Sequence, residues 1–283
     1  MPSPEATTDR QLLVTSAYRD DSHLSARQAL YRAQEPRHDL PLIAVELLSE
    51  VTGTVVDVGC GNGTYVHALR HARPDLDVVG MDLSPGMAQQ VTGARAVADA
   101  SRLPLAADSV DALMAMHMLY HLPDVPAALA EMRRVLKPGG CLLVSTNSTA
   151  DKAELQEIWQ AAQARTGQAA SKRRAGHSDG DGERDGGDGG RLSFSAGFPL
   201  ESAAAVLGGA FDEVAEHRLP SVIRLDSAEP ALRYFASYFP MLRAGPQQLA
   251  DLAEVLREEV ERRLRAGGGE LRVHCLTGLF LCR

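Results

Sequence analysis

At 283 residues, 45% of them hydrophobic, the chain can bury a full core, as one large domain or as one domain with a sizeable appendage. A formal net charge of −8 and a pI near 5.6 argue against an undifferentiated basic surface for DNA or RNA. No apolar run approaches the roughly 20 residues that cross a bilayer, and the opening MPSPEATTDR is polar and acidic where a secretory signal would be basic and then apolar. A cytoplasmic protein without membrane or nucleic-acid partners is expected.

In chain order, the first ten or so residues read as disordered. Tyr18 to Glu50 carries helical signals: ARQALYRAQEP is rich in helix formers, and LPLIAVELLSE has an apolar face that ends near Gly53. From Thr54 the texture becomes short β-rich runs separated by helical ones. TVVDVG, DLDVVGMD, ARAVADA, VDALMAMH and CLLVSTN are predicted strands. Between them, GTYVHALRHARP is a helix stopped by Pro74, and SPGMAQQV starts with Ser84 as N-cap and Pro85 at the first helical position. DVPAALAEMRRVL puts Val125, Leu129, Met132 and Leu136 on one face and stops at Lys137-Pro138-Gly139-Gly140. Strands alternating with crossover helices imply a doubly wound parallel α/β sheet.

Beyond Asn147 the regularity breaks. DKAELQEIWQAAQA is a predicted helix. The tract from Gly176 to Arg191 is nearly all glycine and charge, reads as a flexible loop, and lacks the ligand order of a calcium-binding EF-hand. A helix and strand follow in PLESAAAVLGGAFDEVAEHRL, then a strand end and an aromatic-bearing helix in SVIRLDSAEPALRYFASYF. Pro246 to Ala266 is a long amphipathic helix with Leu249, Leu252, Leu256, Val260 and Leu264 on one stripe, and ELRVHCLTGLFLCR is a closing strand. Cys60, Cys141, Cys275 and Cys282 form no CxxC pair or zinc spacing and are expected as small buried thiols.

The run VVDVGCGNG, Val55 to Gly63, carries the chemistry. In a strand–loop–helix unit this loop lies at the carboxyl edge of the sheet, where ligands of open α/β sheets bind, and glycines let a cofactor approach the backbone closely. A dinucleotide site wants GxGxxG. Here Gly59, Gly61 and Gly63 give GxGxG, and Thr64 stands where the third glycine would be. Asp57 is a poor neighbour for a pyrophosphate and a good one for an ammonium group. Asp82 ends the second predicted strand, where a carboxylate can accept both ribose hydroxyls. Asp99 ends the third, where it can accept from an adenine amino group while the Ala100 amide donates to a ring nitrogen. An amino-acid tail, a ribose and an adenine in series would fill that row.

VVDVGCGNGTY, VVGMDLSPGM, ADASRLPLAADSVDALMAMHMLYHLPD and RVLKPGGCLLVSTN together resemble the class I S-adenosylmethionine-dependent methyltransferases, in their broad ubiquinone-biosynthesis-like group. The resemblance covers about 51–147. It implies a Rossmann-like seven-stranded sheet with an antiparallel last strand inserted between its neighbours. It also implies S-adenosylmethionine as methyl donor, with Asp57 on the methionine amino group and Gly59, Cys60, Gly61 and Gly63 along the methionine and ribose. Asp82 would take the ribose hydroxyls, Leu83 would pack on the adenine, and Asp99 and Ala100 would read its edge. Met116 and His117 would lie near the sulfonium.

The expected organisation is an N-terminal helical segment at 1–50, a cofactor-binding core at 51–148, a helix and flexible loop serving as a lid insertion at 149–200, and the rest of the sheet at 201–283 with a helical insertion at about 228–266. HMLYHLPD places His117, Tyr120, His121 and Asp124 just beyond strand four. His121 and then His117 are the candidates for a general base. A metal held by the two histidines and Asp124 is conceivable, but packing is the stronger alternative, and no metal is expected. Tyr18 and Tyr31 could close over the cofactor. Phe194, Phe198, Tyr234, Phe235, Tyr238 and Phe239 read as core, although a lid for a hydrophobic or aromatic small molecule would look the same. The expected function is methyl transfer to a small molecule, with secondary metabolism as its setting. An RNA or protein methyltransferase, a non-catalytic cofactor binder and a nicotinamide dehydrogenase are the alternatives.

Overall fold

The computed structural model describes residues 7–175, 194–242 and 244–283, without the side chains of 168–175 and Phe194. The Gly/Asp-rich tract at 176–191 lies outside the described residues.

Five strands build the doubly wound part: β2 (Thr54–Val58), β3 (Asp77–Asp82), β4 (Arg95–Val97), β5 (Val110–Met116) and β6 (Leu136–Asn147). Two long strands complete it, β7 (Val214–Leu225) and β8 (Leu271–Cys282). The order across the sheet is β1-β7-β8-β6-β5-β2-β3-β4, with β1 being Gln34–Glu35. β2 to β6 pair in parallel, and β8 runs antiparallel between β6 and β7. The central parallel strands β2 and β5 are mostly apolar and buried because helices cover both faces; in β2 only Thr54 is less than fully buried.

The eighth strand corrects the seven expected. β1 is two residues long, too short to leave a periodic signal. It is held by antiparallel pairing with Ile223 and Val222 and by the Gln34 side-chain amide donating to Ser221 Oγ at 2.7 Å.

The helices are α1 (Ser22–Ala29), α2 (Leu40–Leu47), α3 (Thr64–Ala72), α4 (Pro85–Ala88), α5 (Val125–Val135), α6 (Ala153–Ala175), α7 (Leu200–Leu207), α8 (Glu229–Ala236) and α9 (Pro246–Ala266). Their starts follow local chemistry. Asp39, Ser84 and Asp124 each accept a backbone N–H at the third position of α2, α4 and α5, and each helix has proline in its first turn. The leading residues are more ordered than expected: Thr7 is buried and Asp9 caps the helical turn Arg10–Leu12.

Three apolar clusters result. One lies under α5 and α7 and contains Leu113, Leu129, Met132, Leu207 and Phe280; another lies under α2 and α3 with Ala44, Val66, Leu69 and Met114. The third joins the N-terminal segment and the insertions through Leu13, Leu30, Trp159, Phe235, Leu256 and Val260. It exists because Leu271–Leu276 of β8 run on past β6 and pair with β7 alone. The extended ribbon carries the insertions outward and leaves a hollow between them and the sheet edge.

Candidate cofactor and acceptor site

That hollow is a cavity of about 670 Å³ at the carboxyl edge of β2, β3, β5 and β6, within the range of small-molecule sites. The glycine loop forms one wall. Gly59 has φ +71°, and a Cβ there would stand 2.9 Å from the Met118 side chain, so only glycine fits. The Gly59 and Cys60 amides both donate to the Met81 carbonyl, at 2.7 and 3.0 Å, which folds the loop back over β3. Gly63 starts α3 from a left-handed conformation, φ +79°.

Asp82 stands at the end of β3 with one oxygen accepting from the Gly61 amide and the other from the Ser84 amide, each at 2.8 Å. Burial raises its carboxyl pKa, against the pull of those two bonds. Leu83, Asp99, Ala100, Met116 and His117 continue the lining. Asp99 is engaged from two sides: Ser101 donates to Oδ1, and Arg10 of the N-terminal segment pairs with Oδ2 at 2.7 Å.

Asp57 differs from expectation in depth. It is fully buried below the cavity wall and does not line it, and neither carboxylate oxygen has a hydrogen-bond partner. Burial, with the charge of Asp82 beside it, pushes its carboxyl well above the usual range. Gly63 also lies off the lining, while Gly59, Cys60 and Gly61 are on it.

The two histidines have different surroundings. His117, at φ +55°, has its amide held by the Ser145 carbonyl and hydroxyl, at 3.2 and 2.9 Å. Its Nδ1 is buried without a hydrogen-bond partner, and burial, with Lys152 nearby, pushes its pKa down to about 4. His121 is clamped by the N-terminal segment. Its Nδ1 lies 2.8 Å from the Thr7 carbonyl, which can only accept, so this nitrogen carries the proton. Nε2 therefore accepts from the Tyr18 hydroxyl at 2.9 Å. Burial pushes this imidazole down to about 4 as well, so both rings are neutral at pH 7. With both His121 nitrogens spoken for, the pair does not present a shared metal-binding face.

All six tyrosines of the chain line the cavity, Tyr18, Tyr31, Tyr65, Tyr120, Tyr234 and Tyr238. Tyr234 and Tyr238 thus belong to the site, while Phe198 and Phe235 are core. Sequence reasoning missed Arg10, Thr7, Arg27, and the buried pair Asp151–Lys152, whose lysine also donates to the Tyr31 hydroxyl at 2.7 Å. The lysine's left-handed backbone, φ +56°, leaves no trace in a sequence.

A β8 inserted antiparallel between β6 and β7, a glycine loop after β2 and an acid ending β3 define a Rossmann-like methyltransferase fold. A Methyltransferase domain family model matches residues 56–144. A malonyl-[acyl-carrier protein] O-methyltransferase of Hahella chejuensis is 38% identical over 112 residues, which are 37% of this chain and 40% of that protein. A demethylmenaquinone methyltransferase of Deinococcus radiodurans is 32% identical over 142 residues, 42% of this chain and 59% of that one. The match thus spans less than two thirds of the length of these curated relatives. Among solved structures, a protein described as a methyltransferase of an antibiotic biosynthesis pathway in Anabaena variabilis superposes with a TM-score of 0.57 at 17% identity, covering 85% of this chain and 95% of that one, and shares the fold. Over residues 56–144 the chain is similar to the class I S-adenosylmethionine-dependent methyltransferases. Their methyl donor is S-adenosylmethionine. Among the described residues no helix is long and apolar enough to cross a membrane.

Proposed function

We propose that this protein transfers the methyl group of S-adenosylmethionine to a small molecule held beside the tyrosines of the cavity. The observation that carries the reading is the continuity of one cavity from the glycine loop and Asp82 to His117 and the tyrosines. The residues fit the donor. Asp57, buried behind the cavity wall with both oxygens unmet, offers its carboxylate to an ammonium through a bridging water. Asp82, oriented by two backbone amides, offers its remaining lone pairs to two ribose hydroxyls. Asp99 and the Ala100 amide present an acceptor and a donor to an adenine edge, once Arg10 shares or yields Asp99.

A sulfonium methyl is already activated, so alignment and exclusion of water supply much of the rate. In this chain Tyr18, Tyr31, Tyr120, Tyr234 and Tyr238 would exclude the water. His121 would hold the Tyr18 hydroxyl in place. Imidazoles with pKa near 4 are weak bases, so His121 acts as a positioning residue and His117 as a neutral hydrogen-bonding group beside the acceptor. An acceptor whose nucleophile is already ionised suits such a site better than an unactivated alcohol. The antibiotic-pathway setting of the Anabaena variabilis structure is compatible with a secondary metabolite as acceptor.

The test is calorimetric titration with S-adenosylmethionine, S-adenosylhomocysteine and NAD(H). Micromolar binding of the first two alone is expected, with Asp82→Ala weakening it by roughly 1–3 kcal/mol. Binding of NAD(H) in their place would sink the reading. Labelled-methyl transfer to a panel of small acceptors, an RNA pool and a protein pool then separates the acceptor classes.

A further inference from the structure

Among the described residues, the cavity lining holds a buried cation, Arg27, with no carboxylate in ion-pair contact. Arg27, on α1, lines the cavity, its guanidinium 5.0 Å from the Tyr18 ring centre and 5.2 Å from that of Tyr238. Nη1 makes one long hydrogen bond, 3.5 Å, to the Ser237 carbonyl, and Nη2 is buried with no hydrogen-bond partner. Burial disfavours its charge, and the neighbouring hydroxyls of Tyr18, Tyr238, Tyr120 and Tyr234 favour it. Of the other cations on the lining, Lys152 is cancelled by Asp151 and Arg10 by Asp99, while Arg32 and Arg37 are exposed to water. A guanidinium drawn out of water without an anion is costly, and the flat phenol walls around it favour a planar, apolar partner.

We propose that Arg27 is the docking group for an anion on the acceptor, which makes the acceptor a small carboxylic acid with a flat apolar body. This deepens the small-molecule reading above and rests on it. The carboxylate could come from either ligand, because the methionyl tail of the cofactor also ends in one. Position favours the acceptor. α1 meets the glycine loop through Leu24, beside Gly61, and Gln28, bonded to Asn62, whereas the Arg27 guanidinium packs on the Tyr238 ring and donates to the Ser237 carbonyl, both in the segment that follows α8.

The experiment is calorimetry on the full chain with benzoate and its neutral counterpart benzamide, each titrated with and without S-adenosylhomocysteine. Benzoate is expected to bind at least about tenfold tighter, the discrimination a charged hydrogen-bonded pair supplies. Arg27→Gln should erase that preference and Arg27→Lys should keep part of it, with S-adenosylhomocysteine affinity within about twofold of the parent as the check on folding. Benzoate binding no tighter than benzamide, or a preference that survives in Arg27→Gln, overturns the proposal. So does a loss of S-adenosylhomocysteine affinity in Arg27→Gln that methylthioadenosine, which lacks the carboxylate, does not show; that result gives Arg27 to the cofactor. Failure of the parent chain to bind S-adenosylhomocysteine strikes the methyltransferase reading instead, and the ligand-free titrations still decide the role of Arg27.

Discussion

Asp57 is sealed from water and unmet by any donor, so the ligand-free protein is less stable for keeping it. Burial raises its pKa above the ordinary 3.8. The folded chain therefore holds a proton that the unfolded chain has released, and its stability falls as pH rises through the folded pKa. Asp57→Asn should accordingly raise the melting temperature of the free protein, by a margin that opens above about pH 4 and widens with pH. The same change should cost S-adenosylmethionine about 10- to 100-fold in affinity, if the carboxylate meets the ammonium. Higher stability with unchanged affinity would leave Asp57 no part in binding. His117 and His121 act in the opposite direction. Below pH 6.5 the unfolded imidazoles gain protons that the folded ones, down at about 4, refuse. Their contribution is present above 6.5 and is lost as pH falls toward 4. In urea melts across that window, His121→Gln should flatten the slope. An unchanged slope would show that the ring is not neutral and buried in solution.

The N-terminal segment is the element whose role depends most on distant partners. It reaches the site through Thr7 and Tyr18 on His121, through the Tyr18 carbonyl accepting from Ser84 Oγ at 2.6 Å, and through Arg10 on Asp99. Arg10 and Asp99 are partly exposed, and such a pair contributes little to stability, so it can open for an adenine at small cost. Amide exchange over 8–31 should therefore slow on adding S-adenosylhomocysteine and not on adding NAD(H); identical protection in both would remove this segment from the binding step. None of these ties was legible in the sequence, since Tyr18 and His121 are separated by 103 positions. What was legible is local: the Ser84 cap, the GxGxG turn, and α9, which runs from Pro246 to Ala266 with Leu252, Leu256, Val260 and Leu264 buried. Arg27 reads as an ordinary helix-surface cation because its tyrosine neighbours come from three separate stretches of the chain, at Tyr18, at Tyr120 and at Tyr234 with Tyr238. Asp151 and Lys152 read as the start of a helix for the same reason.

At the scale of the whole molecule, the apolar interior is divided by the cavity, and the question is whether it unfolds as one unit. The third cluster, around Trp159 and α9, belongs to the insertions, while the other two clothe the parallel strands. Were only loops to join them, the insertion layer would melt alone. They are joined by β7 and β8, each 12 residues long: β8 contributes Phe280 and Cys282 to one cluster, Leu279 and Leu281 to another, and Val273 and Cys275 to the third, where β7 adds Ile223 and Leu225. Losing the outer half of that ribbon strips partners from the inner half, so the clusters should unfold together. Trp159 is the chain's one tryptophan and is buried in the third cluster, so its fluorescence reports that layer alone, whereas far-ultraviolet circular dichroism reports every helix and strand. The two denaturation curves should coincide, and saturating S-adenosylhomocysteine should move both by the same amount, about 2.7 kcal/mol at a hundredfold excess over its dissociation constant. A tryptophan transition at lower denaturant than the dichroism transition would show that the insertion layer opens independently of the sheet, and the ribbon would then be a tether and not a shared core.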